Sequence, residues 1–224
     1  MSQGDNGGSE QVQFTNRLVE LKRRGCNLLV VGWGGGGAQS DACRRLFGQS
    51  DRIRRRLLVL TSDREGVIPR IPDRESPTRY RLVEHSVRTR STATASVSTT
   101  GRQPPVTLHD IGRKAHDAID EFEDASGCDG VDPGEIRVCV NSVSTLFDVH
   151  GELAVERFLT ALCDRVVAAR GMGHYHLHAT RDSAEALRLA PLFDATIEVR
   201  PTLESVEHRW HFNDEEITSE WHRL

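Results

Sequence analysis

The stretch NLLVVG (27–32), followed at once by WGGGGAQS (33–40), decides the fold. A short, continuous apolar run is typical of a strand that is buried on both faces of a parallel sheet. The glycines permit a tight turn, and residues 38–47 continue with the pattern of a helix. A strand, a glycine turn and a helix in this order form the usual setting of a phosphate-binding loop.

Strands and helices alternate along the rest of the chain. Apolar runs predict central parallel strands at 27–32, 57–61, 136–141 and 174–179, and alternating residues predict an edge strand at 79–84. Amphipathic patterns predict helices at 14–24, 38–47 and 152–170, and a helix that begins at Asp110 as its N-cap. A strand at 195–200 and a ribbon at 208–212 follow. This alternation predicts an α/β fold with a mainly parallel central sheet and a C-terminal β ribbon.

Length and composition favour one folded domain. The chain has 224 residues, of which 37% are hydrophobic, and this content excludes wholesale disorder. The polar, glycine-rich residues 1–11 predict a disordered leader, and residues 12–224 predict a single domain with a Ser/Thr-rich loop at 86–105.

The same numbers restrict location and partners. The chain lacks an apolar run of the ~18–20 residues that a membrane span needs, and it starts without the charged-then-apolar order of a secretory signal. We therefore expect a cytoplasmic protein that does not associate with membranes. The net charge of −4 gives no electrostatic case for nucleic-acid binding. Five cysteines without a CxxC pair predict reduced, mostly buried thiols rather than disulfides or a zinc knuckle.

The phosphate-loop pattern is incomplete. Gly32 and Gly37 satisfy the frame G-x-x-x-x-G, but Ala38 and Gln39 stand where lysine and a hydroxyl residue should follow. The apolar strand RVCVNS (137–142) ends in Asn141, where such folds place an aspartate that holds magnesium. The chain thus lacks the lysine charge, the hydroxyl ligand and the carboxylate, and we expect no ATP hydrolysis.

The glycine turn can still offer backbone N–H groups to an anion or a nucleotide, bound weakly. Open α/β sheets bind ligands over the carboxyl ends of their strands. The residues expected at this remnant cleft are Gly32, Gly34, Gly35, Gly36, Gly37, Asn141, His176 and His178. We expect no resident cofactor and assign no catalytic residue.

Three histidines alternate along HYHLHAT (174–180) and share one face of a strand. Residues on one face of a strand are ~6.6–7 Å apart, so His174, His176 and His178 do not converge easily on one tetrahedral ion. Two of them with a carboxylate such as Asp148 would be needed. A hydrogen-bonded polar ladder is the expectation, with no metal ligand assigned, and a metal-dependent hydrolase is the alternative.

Several segments carry a resemblance to a known family: NLLVVG with its glycine turn, RVCVNSVSTLFD (137–148), ERFLTALCDRV (156–166), GMGHYHLHATRD (171–182), PLFDATIEVR (191–200) and the ending from RWHF to a tryptophan (209–221). In these the chain resembles an uncharacterised haloarchaeal family, sometimes labelled HTR-like, that is related to RecA and KaiC-like ATPases. The resemblance implies a RecA-like three-layer fold. Asp is usual in that family where this chain has Asn141, so this chain looks further degenerate.

Motif and resemblance together predict a catalytically inactive relative of P-loop ATPases. We expect a binding or regulatory module of the signalling type that acts through a protein partner or self-association. Two alternatives remain open at this stage. One is a residual ATPase or nucleotide-dependent kinase completed by a partner chain, and the other is the metal-dependent hydrolase centred on the histidine ladder.

Overall fold

A computed structural model of the chain describes residues 6–32, 37–48, 53–61, 78–85, 107–213 and 217–224. The described strands form one eight-stranded sheet in the order β3-β2-β4-β5-β1-β6-β7-β8. The strands are β1 (Cys26–Val31), β2 (Arg55–Leu60), β3 (Tyr80–Glu84), β4 (Ile136–Val140), β5 (Met172–Leu177), β6 (Ala195–Pro201), β7 (Val206–Phe212) and β8 (His222–Arg223). The first six in sequence pair in parallel, and β7 and β8 pair antiparallel. The predicted α/β class, parallel sheet and C-terminal ribbon are confirmed.

Helices cover both faces of this sheet and complete three layers. They are α1 (Asn6–Arg24), α2 (Gly37–Leu46), α3 (Leu108–Asp124), α4 (Val143–Val149), α5 (Glu152–Ala168) and α6 (Ala184–Leu189). The largest core cluster joins α3, α5 and α6 to one face of the sheet. Two smaller clusters join α1 and α2 to the other face. Within the described ranges, every helix is too short or too polar to cross a membrane.

Strand β1 lies near the middle of the sheet because its side chains are apolar on both faces. It pairs with β5 on one side and with β6 on the other. Leu29 and Val31 point into the core beneath α3 and α5, and Leu28 and Val30 point toward α1 and α2. Successive strand residues face opposite sides, so an unbroken apolar run is what a position between two helical layers requires.

The structure corrects four local predictions. Helix α1 begins at Asn6, eight residues before the predicted start of this helix at residue 14. Strand β5 starts at Met172, two residues before the prediction. Helix α4 was not predicted. The N-cap of α3 is Thr107 rather than Asp110, which instead closes a capping box with it. The predicted loop at 86–105 lies outside the described residues.

Gly173 marks a place where the sheet leaves no room for a side chain. A Cβ atom there would lie 2.5 Å from Asn27 Oδ1 and 2.8 Å from Tyr175 Cε2. Gly112, inside helix α3, is different, because a Cβ atom there would meet only Phe158, at an ordinary 3.6 Å. Crowding therefore requires glycine at 173, whereas the space around Gly112 would admit a Cβ atom.

We expect the same substitution to have opposite effects at these positions. Gly173→Ala should lower the free energy of unfolding by about 1–3 kcal/mol because it overpacks a buried site. Gly112→Ala should raise it by about 0.5–1 kcal/mol because alanine favours a helix interior. Urea denaturation of both variants and the parent measures this, and a Gly173→Ala protein as stable as the parent would contradict the packing described.

Candidate functional site

The carboxyl ends of the parallel strands meet at one edge of the sheet, where the glycine turn leaves β1. Gly32 N donates a hydrogen bond to Ala179 O (3.0 Å), and a Cβ atom at Gly32 would lie 2.5 Å from Val199 O. Only glycine allows this close approach of two backbones. Helix α2 begins at Gly37, which is exposed and has open space around it. Gly34, Gly35 and Gly36 lie outside the described residues.

Ala38 and Gln39, the residues after the turn, both point into the protein. Gln39 Nε2 donates to Gly32 O (2.9 Å) and to Leu177 O (3.2 Å), and Gln39 Oε1 lies 3.0 Å from His176 Nδ1. The position that carries a magnesium-binding hydroxyl in a phosphate loop here holds an amide with three internal partners. Its side chain joins the ends of β1 and β5 and does not face a ligand.

Asn141, directly after β4, is also used internally. Its side chain is fully buried, and its Oδ1 accepts from Thr61 N (2.7 Å) and lies 3.1 Å from Thr61 Oγ1. The Thr61 hydroxyl also lies 2.5 Å from Ser142 O. These contacts join the ends of β2 and β4. An amide here brings no negative charge with which to hold magnesium.

The two histidines predicted for the cleft occupy different surroundings. His176 is fully buried on the α2 side of the sheet, whereas His178 is half-buried just past the end of β5. Burial lowers the pKa of His178, and nearby His176 adds to the shift. Among the described members of the predicted set, only Gly37 and His178 are accessible, while Gly32, Asn141 and His176 are buried beneath the edge.

A cavity of about 420 Å³ opens beside His178, on the α4 and α6 side of this edge. Its walls also include Ser144, Phe147, Asp148, Ser183 and Glu185. Two carboxylates repel a phosphate, so this cavity suits a polar or cationic group better than a nucleotide. Asp148 is exposed here, on the face opposite to His174 and His176, and does not complete a ligand set with them.

Two cysteines that sequence reasoning treated as ordinary core residues lie beside the buried histidines. Cys43 of α2 and Cys139 of β4 place their sulfur atoms next to the rings of His174 and His176. The cysteines are 96 residues apart in the chain, so no short spacing motif announces them. The sequence offers only one cysteine in the predicted helix 38–47, one in the predicted strand 136–141 and the alternating histidines of the strand 174–179.

A pair of histidines at the same edge suggests a pH dependence. His85, after β3, and His150, after α4, place their Nε2 atoms 2.9 Å apart, so one ring donates and the other accepts. Burial lowers the pKa of His85, with a further contribution from the charge of His150, and burial lowers the pKa of His150.

The free energy of unfolding should therefore fall as pH decreases below about 6.5. The unfolded histidines gain protons from about that pH downward, while the folded pair resists protonation until lower pH. Replacing His150 by glutamine should make the dependence on pH shallower. Urea midpoints at pH 8, 6.5 and 5 are compared between the variant and the parent, which contain the same other histidines. Parallel curves for the two proteins would show that the pair does not contribute.

Comparisons with known proteins bear on the fold and the family of the chain. No curated protein matches the chain. The crystal structure of a KaiC-like protein from the hyperthermophilic archaeon Pyrococcus horikoshii OT3 is similar, with a TM-score of 0.52 and 9% sequence identity over 90% of this chain and 82% of that one. This similarity supports the RecA/KaiC-like fold, while the haloarchaeal label stays a prediction. Residues 25–199 match the model of a family of unknown function, DUF7504, and the chain belongs to that family.

Proposed function

We propose that this protein is a non-hydrolysing relative of P-loop ATPases that works as a binding and regulatory module. The observation that carries the proposal is the inward orientation of Gln39 and Asn141. Each makes buried hydrogen bonds to neighbouring strands, so neither can leave its place without exposing unpaired polar groups. Both positions thus serve the fold instead of a bound nucleotide.

The chemistry of phosphoryl transfer supports the same conclusion. A transferred phosphoryl group needs cationic neutralisation and a magnesium ion held by a hydroxyl and a carboxylate. Ala38 is apolar and buried, Gln39 offers no hydroxyl, and Asn141 has no charge. The groups that would neutralise the transition state are absent from the three positions where the fold would supply them.

A weak anion site at the start of α2 is part of the proposal. Gly37 is exposed and begins a ten-residue helix, and the first N–H groups of a helix have no acceptor within the helix itself. A phosphate group could bind there through backbone donors without magnesium. No resident cofactor is proposed.

Regulation would then depend on protein contacts. The KaiC-like relationship supports a signalling or regulatory role. Val149, Leu153 and Leu187 are exposed apolar residues on α4, α5 and α6, and such residues support a protein partner or self-association in the cytoplasm. A residual ATPase or kinase completed by a partner chain remains the alternative, because the accessible Gly37 leaves the start of α2 open to another protein. A hydrolase at the histidine ladder is not favoured, because His174 and His176 are both fully buried and substrate would not reach them.

Calorimetric titration with ATP and magnesium, combined with a phosphate-release assay, tests the proposal. We expect no steady phosphate release above a protein-free blank, and at most weak binding of ATP or inorganic phosphate. Gly37→Glu should weaken that binding, because a carboxylate at the helix start repels an anion. Gly37→Gln adds the same bulk without charge and should bind like the parent. Steady phosphate release by the parent protein would overturn the proposal.

A further inference from the structure

Four chemically reactive side chains converge in the layer between α2 and the sheet. They are Cys43 of α2, Cys139 of β4, and His174 and His176 of β5. All four are completely buried. Cys139 pairs with His174 across the neighbouring strands β4 and β5, so their side chains share a face, and α2 lays Cys43 over them. Phe47 and Leu58 surround the group with apolar contacts.

Two distances between these side chains lie in the range of the edges of a tetrahedral metal site, and the remaining ligand atoms are close. Zinc bonds of about 2.3 Å to sulfur and about 2.0 Å to nitrogen place ligand atoms roughly 3.3–3.8 Å apart. Here the two Sγ atoms are 3.5 Å apart, and Cys43 Sγ lies 3.4 Å from His174 Nε2. One ligand atom from each of the four residues lies within 4.8 Å of every other.

Hydrogen bonding fixes the tautomer of His176 in the form that a metal requires. Gln39 Nε2 donates to two backbone carbonyls, so Gln39 Oε1 faces His176 Nδ1 and must accept a hydrogen bond from a protonated Nδ1. His176 Nε2 then carries a free lone pair. In the part of the chain that the structure describes, this buried atom has no hydrogen-bond partner. A metal-bound histidine commonly donates its other ring N–H to such a second group.

Hydrogen bonds among the four residues do not account for the cluster. His176 Nε2 is left without such a bond, whereas on His174 the nitrogen beside Cys43 Sγ is Nε2, and its buried Nδ1, which has no partner among the described residues, stays outside the ligand set. Buried polar atoms are normally paired.

We propose that Cys43, Cys139, His174 and His176 bind one zinc-class divalent ion in a closed tetrahedral site. A set of two sulfur and two nitrogen ligands favours zinc over magnesium or calcium, which prefer oxygen. Binding releases the thiol protons to solvent. Four protein ligands leave no open position for a substrate, so the ion has a structural role. It attaches α2 to β4 and β5.

Metal analysis of the whole protein is the direct test. Protein refolded under reducing conditions with zinc, then freed of loose metal, should retain one equivalent per chain. Cobalt in place of zinc should give the intense visible absorption of a tetrahedral site with thiolate ligands. Refolded parent protein that retains no zinc, or whose cobalt form shows no such absorption, overturns the proposal. A disulfide between Cys43 and Cys139 that persists in the folded protein, with no metal taken up after its reduction, also overturns it.

Matched variants separate the site from general destabilisation. Cys43→Ala and Cys163→Ala each remove a buried thiol, and only Cys43→Ala should lose the bound ion and the cobalt spectrum. Gln39→Leu keeps all four ligands but removes the acceptor for His176 Nδ1, and it should weaken zinc affinity about 10- to 100-fold. Equal zinc retention by Cys43→Ala and Cys163→Ala would place the ion elsewhere and overturn the assignment.

Discussion

The side-chain amide of Gln39 lies against three groups inside the protein: Gly32 O, Leu177 O and His176 Nδ1. Buried carbonyls at strand ends need donors, since an unpaired polar group in the interior is costly. This one amide supplies donors where β1 and β5 leave the sheet, and it anchors the first turn of α2 against both strands. Because the amide is committed to the interior, the same position cannot also serve a bound phosphate. The inward orientation of Gln39 therefore holds α2 against β1 and β5, and it also leaves the hydroxyl position of the loop without a ligand group.

Most of the fold could be predicted because the central strands are locally unambiguous. NLLVVG (27–32) carries apolar residues for both faces, and the helices at α3 and α5 show broad apolar stripes. Errors arose where tertiary contacts overrode local pattern. The alternation of histidine and apolar residues in β5 suggested one polar face, yet all six residues of this strand are buried. Helix α4 has seven residues, too few for a helical period to show.

The site was only partly predictable, for a different physical reason. The absence of a lysine and a hydroxyl residue could be read from the contiguous loop, and Asn141 could be read from the end of an apolar strand. The orientation of the Gln39 and Asn141 side chains could not be predicted, because it depends on contacts with strands that are distant in the chain. The nearness of Cys43 and Cys139 depends on how α2 lies across the sheet, and that placement follows from packing and not from spacing. The sequence therefore showed which residues occupy the motif positions but not which groups they contact.

The pairing of β1 has a consequence for the order in which the chain can fold. Asn27 on β1 accepts a hydrogen bond from Tyr175 on β5, and these residues are 148 positions apart. Both strands beside β1 lie in the last third of the chain, so neither is present before synthesis reaches that part. During synthesis this apolar segment emerges before its partner strands, and it is then exposed to association with other chains. The C-terminal segment that follows α5 therefore determines when the N-terminal half can become native.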